Sequence, residues 1–472
     1  MGQEISSSHF SESDFAEFDA HLRAETELLE HWFQEGRLAD HTGVGGFELE
    51  SWLVDSEMQP APVNAAVIER VGGDLVVPEL ASFNLELNAP PQELEGVALG
   101  TMRDDLQTTW DACNRCAAEL GAELVMIGTL PTACESEFNL DNMSSMKRYQ
   151  ALNEQVLRLR GGKPLALRID GRSRLRTEHA NLMLEAATTS FQIHLQVAPH
   201  EAARFYNASK ILSAPMVAVA ANSPYLFGHD LWDETRIPLF EQAVSVEGPQ
   251  SPNRVTFGFD YLRDSLFECF SQNRDAFPIL LPKAGSDATG ELSHLRLHNG
   301  TIWRWNRPLI GFDTAGVPHL RIEHRVVPAG PTVTDCIANA ALFFGAVTQL
   351  GRSADPPERG LAFTTARENF YRAARFGLEA TIVWLDGREV PIRDVLAQYL
   401  LPLAREGLAG FGLNPGEIEE FLGVIEGRVR SGRNGAAWQR AYVERHGPDM
   451  QALTYAYLQR QRSGRPVHEW GF

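Results

Sequence analysis

The sequence predicts an α+β fold: a curved antiparallel β-sheet with a concave polar face that forms the active site, and helices packed on the other face. Three observations lead there. Of 472 residues, 44% are hydrophobic and 22% charged, enough apolar material for a large core. Four short segments pair an apolar face with a face of carboxylates, amides, imidazole and guanidinium. Segments with helical spacing of apolar residues separate them.

Phe15, Phe18, Leu22, Leu29, Trp32 and Phe33 recur at helical intervals, so residues 12–36 read as an amphipathic helix leading into the fold. Gly43, Gly45 and Gly46 precede a strand rather than a helix and read as a flexible lead-in, not a dinucleotide loop. Strands are expected at Phe47–Val54, Phe83–Leu87, Leu124–Ile127, Ser190–Val197, Leu295–Trp305 and Leu320–Val327. Helices are expected over residues 99–120, 200–221, 333–350, 360–380 and 415–430. The apolar helix at 336–350, interrupted by Asn339 and Gln349, reads as too short to cross a bilayer. Residues 351–359, GRSADPPER, read as a linker. Beyond them the chain reads as helical, with no strand. The expected organisation is a helical N-terminal extension (1–40), a catalytic sheet region (41–350) and a helical C-terminal part of the same catalytic domain (351–472).

Side chains on a strand alternate between faces. Phe47, Leu49, Ser51 and Leu53 therefore oppose Glu48, Glu50 and Trp52. Phe83, Leu85 and Leu87 oppose Asn84, Glu86 and Asn88. Phe191, Ile193, Leu195 and Val197 oppose Gln192, His194 and Gln196; Leu320, Ile322 and Val326 oppose Arg321, Glu323 and Arg325. A plain solvated face would use Lys, Ser and Thr. No lysine occurs in these segments, and the residues present are those that bind metals and phosphates. Carboxylates with one imidazole suit Mg²⁺ and also admit Mn²⁺. Arginines on the same face suit charge that develops on a transferred phosphoryl group.

Other chemistries find no support. The chain has no phosphate-binding G-x-x-x-x-G-K-[ST], no G-x-S-x-G and no H-E-x-x-H. A net charge of −20 argues against a nucleic-acid or anionic-membrane partner. Small-molecule substrates are expected instead, and a homo-oligomer is left open. Five cysteines fit a reducing compartment, and Cys113-x-x-Cys116 reads as helix packing. The polar, acidic N-terminus lacks the apolar stretch of a signal peptide, so a cytoplasmic location is expected.

Seven segments in order resemble one family: GFELE (46–50), PELASFNLELN (78–88), FQIHLQV (191–197), AANSPYLFG (220–228), TIWRWNRP (301–308), RIEHRVVPAGPTVTD (321–335) and ENFYRAARFGL (368–378). Together they are similar to the glutamate–cysteine ligase family of the bacterial and plant kind, with its carboxylate–amine ligase relatives. The resemblance implies a glutamine-synthetase-like catalytic sheet. It implies that ATP phosphorylates the γ-carboxyl of glutamate and that an amine attacks the acyl phosphate. It assigns Glu48, Glu50, Glu79, Glu86, His194 and Glu323 to metal. Arg325 goes to the transferred phosphate, so Glu323 and Arg325 form the catalytic pair. Arg236, Trp303 and Arg307 go to substrate. Gln192 and Gln196, with Arg325, are placed at ATP. Arg148 and Tyr149 are left unassigned, and Asn222 reads as a cap or turn. Leu130 stands where many relatives carry histidine, and no acidic residue follows Arg325 two positions on. Both departures bear on substrate choice.

The function expected is an ATP- and Mg²⁺-dependent carboxylate–amine ligase, forming a γ-glutamyl amide. The alternatives are the same chemistry on another acid or amine, and a non-catalytic nucleotide- or amino-acid-binding protein of the same fold.

Overall fold

The computed structural model describes Ile5 and residues 9–246, 252–283 and 289–471. Residues 1–4 and 6–8 of the expected N-terminal extension, and Phe472 of the C-terminal part, lie outside the described residues.

One sheet of eight strands organises the chain: β1 (Val44–Val54), β2 (Val76–Pro78), β3 (Asn84–Asn88), β4 (Gln92–Glu93), β5 (Glu123–Val125), β6 (Phe191–Val197), β7 (Asn306–Phe312) and β8 (Pro318–His324). Its order is β7-β8-β6-β1-β3-β2, with β4 and β5 also paired to β1, and every pairing is antiparallel. The mixed helix-and-sheet class expected from the sequence is the one found.

The apolar face is closed by helices. Leu49, Leu85, Leu87, Phe191, Ile193, Leu195, Leu320 and Ile322 are fully buried in one core. The core helix of the opposite layer, Val333–Arg352, starts at Thr332, whose hydroxyl accepts the Asp335 N–H. It packs on helices Ala202–Ala220, Leu401–Gly410 and Pro415–Ser431. At 20 residues it is long and apolar enough to cross a membrane, longer than the sequence suggested, but 89% of its apolar window is buried inside the protein. A second core joins Trp52, Phe83 and Phe138 to Trp438, Tyr457 and Trp470 of the C-terminal helices.

Several expectations need correction. Residues 295–305 are not a strand. Ser293–Gly300 is a helix, and the edge strand β7 follows it. Leu295 and Leu297 alternate with Arg296 and His298, which mimics a strand, while Pro308 and Gly311 disguise β7. Proline is tolerated there because β7 is at the sheet edge. Phe83 does not share a face with Leu85 and Leu87: β3 begins one residue later, and Phe83 stacks on Trp52 at 5.5 Å. The 351–359 segment carries the last turn of the core helix and a helical turn at Pro357–Gly360. A small hairpin pairs Thr381–Val383 with Glu389–Pro391 in the part expected to lack strands. Cys113 is buried and its thiol is pushed up to about 12 by burial, as for inert helix packing.

Gly45 is not a flexible lead-in either. It lies within β1 facing the apolar core, where a Cβ would come 2.8 Å from Phe344, 2.9 Å from Leu94 and 3.1 Å from Met102. Overpacking of this kind costs about 1–3 kcal/mol. Gly45→Ala should lower the midpoint of thermal unfolding, whereas Gly46→Ala, whose Cβ would meet only Pro91 at 3.8 Å, should leave it nearly unchanged.

Candidate active site

The antiparallel register sets the polar face in line. Arg307 lies opposite Glu323, Glu323 opposite His194, Gln192 opposite Glu48, and Glu50 opposite Glu86. Above this face is a cavity of about 340 Å³. Glu48, Glu50, Glu86, Gln192, Arg321 and Arg325 line its sheet side. Glu79, just beyond β2, closes it from the edge.

Two ligand sets come together. Atoms of Glu48, His194 and Glu323 lie within 4.8 Å of one another, and so do atoms of Glu50, Glu79 and Glu86. Burial, reinforced by Glu86 and Glu323, pushes the Glu48 carboxyl well above the carboxylate range. Burial also raises Glu79 well above it, again reinforced by Glu86, and raises Glu50. Buried carboxylates this close repel unless a cation lies between them. His194 is pushed down to about 3 by burial and stays neutral, which leaves a ring nitrogen lone pair for a metal. Among the described residues, Glu48 Oε2 and His194 Nε2 are buried without a hydrogen-bond partner, and Nε2 lies 3.3 Å from Glu48 Oε1. These donors therefore fit a hard divalent cation.

Glu323 behaves differently. Arg307 donates to it twice, at 2.6 and 3.0 Å, and Arg325 donates as well. Burial works against its charge, but Arg307 and Arg325 outweigh burial and hold the carboxyl below its ordinary range. Oε1 accepts from both arginines and Oε2 from Arg307 alone, so Oε2 keeps a lone pair for a cation. Arg325 also donates to Gln192, whose amide donates to Glu50 at 2.7 Å. Glu50 accepts the Ser190 N–H at 2.6 Å. Arg325 lines the cavity, and among the described residues its buried Nε has no hydrogen-bond partner.

The structure separates the residues expected at substrate and ATP. Trp303, Arg307, Arg325 and Gln192 line the cavity. His194 and Glu323 do not line it; they pair with each other in the sheet, His194 lies 3.3 Å from the lining residue Glu48, and Glu323 is held by the lining residues Arg307 and Arg325. Arg236 does not reach the cavity. Its guanidinium pairs with the buried Glu234 and donates to the backbone carbonyls of Arg325 (3.2 Å) and Val326 (2.6 Å). These contacts fix the chain at the end of β8. Gln196 pairs with Arg321 in the ladder but does not line the cavity. Asn222 is a buried packing residue that donates to Ala329 and Tyr457. Leu130 is fully buried in the second core, so that departure from the family pattern does not touch the site.

Sequence reasoning missed part of the lining. Glu185, on a short 3₁₀ turn at Leu182–Ala187, reaches the cavity, and burial pushes it up to about 7. Its only signal was one acid inside an apolar run. Arg148 and Tyr149 of helix Lys147–Leu159 close one side, where Tyr149 donates to the Pro78 carbonyl at 3.1 Å. Arg296, Leu297 and Thr301 close another. Leu152, Phe270, Leu281 and Ile310 add apolar side chains to the lining.

The sequence model of glutamate–cysteine ligase family 2 matches residues 44–456. The chain belongs to that family. It is an ATP-dependent ligase that joins carbon to nitrogen. A protein of Rubrobacter xylanophilus provisionally named glutamate–cysteine ligase 2-1 is 26% identical over 420 residues, covering 87% of this chain and 93% of its own length. A protein of Frankia alni with the same provisional name is 25% identical over 443 residues, covering 89% and 96%. Among solved structures, a glutamate–cysteine ligase from Francisella tularensis in complex with AMP superposes with TM-score 0.50 at 11% identity, over 90% of each chain. A bifunctional glutathione synthetase from Pasteurella multocida gives TM-score 0.57 at 12% identity, over 93% of this chain and 55% of its own. At such identities these likenesses speak for the fold alone. They bear out the curled antiparallel sheet with packed helices expected from the sequence.

Proposed function

We propose that this family 2 ligase activates the γ-carboxyl of glutamate with ATP and transfers the γ-glutamyl group to an amine. The observation that carries the reading is the floor of the cavity, where two carboxylate-rich ligand sets lie beside Arg325 and Arg307. Glu48, His194 and Glu323 would hold one Mg²⁺, and Glu50, Glu79 and Glu86 another, with Mn²⁺ admitted by the histidine. Bound there, the ions would draw negative charge from the phosphates of ATP.

The residues of the chain do the rest. A carboxylate oxygen of the acid attacks the γ-phosphorus of ATP, the bond to ADP breaks, and an acyl phosphate forms. Arg325, held by Glu323 and Gln192, meets the charge on the phosphoryl oxygens from the side. Trp303 and Arg307 bound the substrate end. The walls exclude water, so the acyl phosphate meets the amine rather than being hydrolysed. The amine nitrogen then bonds to the acyl carbon, phosphate leaves with the bond electrons, and the ammonium proton is released.

The apolar lining residues Leu152, Phe270, Leu281 and Ile310 favour a second reading, the same chemistry on an amine bulkier than cysteine. A non-catalytic binding protein fits poorly, because buried carboxylates without cations are costly. We place the protein in the cytoplasm, on the strength of its five free cysteines. Small molecules are its proposed partners.

The test is phosphate release from ATP with glutamate and a panel of amines, each substrate omitted in turn. Release should need Mg²⁺, stop in excess chelator and return when Mg²⁺ is added back. Undiminished turnover in chelator would remove the metal sites from the proposal, and release independent of every acid would make the protein an ATPase.

A further inference from the structure

The helix before the sheet, Glu12–Glu35 (α1), lies outside the region matched by the family, residues 44–456. It is nonetheless tied to three walls of the cavity. The helix Ser293–Gly300 (α2), with Thr301 after it, supplies Arg296, Leu297, Asn299 and Gly300 to the lining. Its first turn is not capped by its own sequence: Leu292 sits in the left-handed region at φ 52° and offers no side-chain cap. The missing acceptor comes from α1. Glu25, fully buried, accepts the Leu295 N–H at 2.8 Å and contacts His294 Nδ1 at 2.7 Å. His21 stacks flat on the His294 ring at 4.4 Å, and Phe18 meets it edge-on at 5.0 Å.

The far end of α2 is joined to the catalytic floor. The Gly300 carbonyl accepts from Arg307, the arginine that holds Glu323, and Asn299 donates to the Pro308 carbonyl at 2.7 Å. At another wall of the cavity Arg158, from the helix that carries Tyr149 and Leu152, lies 4.7 Å over the Phe15 ring of α1. Asp14 pairs at 3.3 Å with Lys283, two residues from the lining residue Leu281.

We propose that α1 is a positioning element of the active site: Glu25 supplies the cap that α2 lacks, which holds the α2 wall against Arg307 and sets substrate affinity. The proposal rests on the ligase reading only for its functional readout. Hydrogen exchange tests the coupling itself, whatever the reaction.

The variant is Glu25→Ala in the full chain. Amides of 293–301 should exchange at least ten times faster. KM for at least one of ATP, acid and amine should rise fivefold or more, with kcat within twofold. Glu25→Gln keeps an acceptor for the Leu295 N–H and should restore most of both. Glu417→Ala is the matched control, because Glu417 accepts the Gly100 N–H at 3.1 Å in a helix that does not line the cavity. It should lower thermal stability and leave every KM unchanged. If Glu25→Ala does not fold, His21→Ala, which removes only the stacked ring, is read in the same way with a smaller effect. Normal exchange at 293–301 overturns the proposal. So does faster exchange with all three KM values unchanged, which would make α1 a brace for stability only. If wild type turns over no substrate set, the ligase reading fails and the Mg·ATP dissociation constant by calorimetry replaces KM, with the same fivefold criterion. A wild type that does neither overturns both.

Discussion

Arg325→Lys is expected to lower kcat by about 10²-fold or more, equivalent to about 3 kcal/mol, while KM for ATP changes little. One nitrogen of the Arg325 guanidinium, Nη1, reaches Glu323 and Gln192 together, and the residue lines the cavity. In the proposed reaction one end of the planar fork grips the floor while the rest of the guanidinium serves the phosphate. Lysine keeps the charge but cannot hold Glu323 and Gln192 while it reaches a phosphate. The contact matters most when charge builds on the transferred group, so the loss should fall on kcat. A rise confined to KM for ATP would make Arg325 a ground-state anchor. Two unchanged constants would mean that this arginine does not meet the phosphate at all.

The second large effect is expected at Glu86. Glu86→Gln keeps the shape and removes one charge from the set Glu50, Glu79 and Glu86. Its neighbours Leu85 and Leu87 are fully buried in the core, so the strand should hold. After burial, the charge of Glu86 does most to push up both Glu48 and Glu79. Without metal, the variant should therefore unfold at the same temperature as wild type or higher. With saturating Mg²⁺ for wild type, the stabilisation by metal should shrink, since it follows the ratio of metal concentration to dissociation constant. Turnover should fall by about 10²-fold or more, a loss on the scale reported for weakened metal sites. A variant less stable in chelator but normal in turnover would show that Glu86 serves the fold instead.

The legible part of this protein was its period of two. Glu48, Glu50, Glu86, Gln192 and His194 could be set on one face from alternation alone, because a central strand buries both faces and each residue must choose a side. Glu79 precedes its strand partner in a turn-like segment, and only the family resemblance pointed to it. Arg236 shows the opposite limit. A buried arginine satisfies its donors on a ligand or on backbone carbonyls, and nothing local distinguishes the two. Glu185, Arg148 and Arg296 come from a 3₁₀ turn and two helices that long-range packing lays over the sheet, so no periodicity marks them. The helix at 293–300 was hidden for a related reason: part of what stabilises its first turn is Glu25, far away in sequence.

The most direct measurement replaces the amine with hydroxylamine. ATP, Mg²⁺, glutamate and hydroxylamine should give γ-glutamyl hydroxamate, with one phosphate released per hydroxamate, and omission of either ATP or glutamate should abolish both. Phosphate release that persists at the same rate without glutamate, or with glutamate but without hydroxamate, would contradict activation through an acyl phosphate.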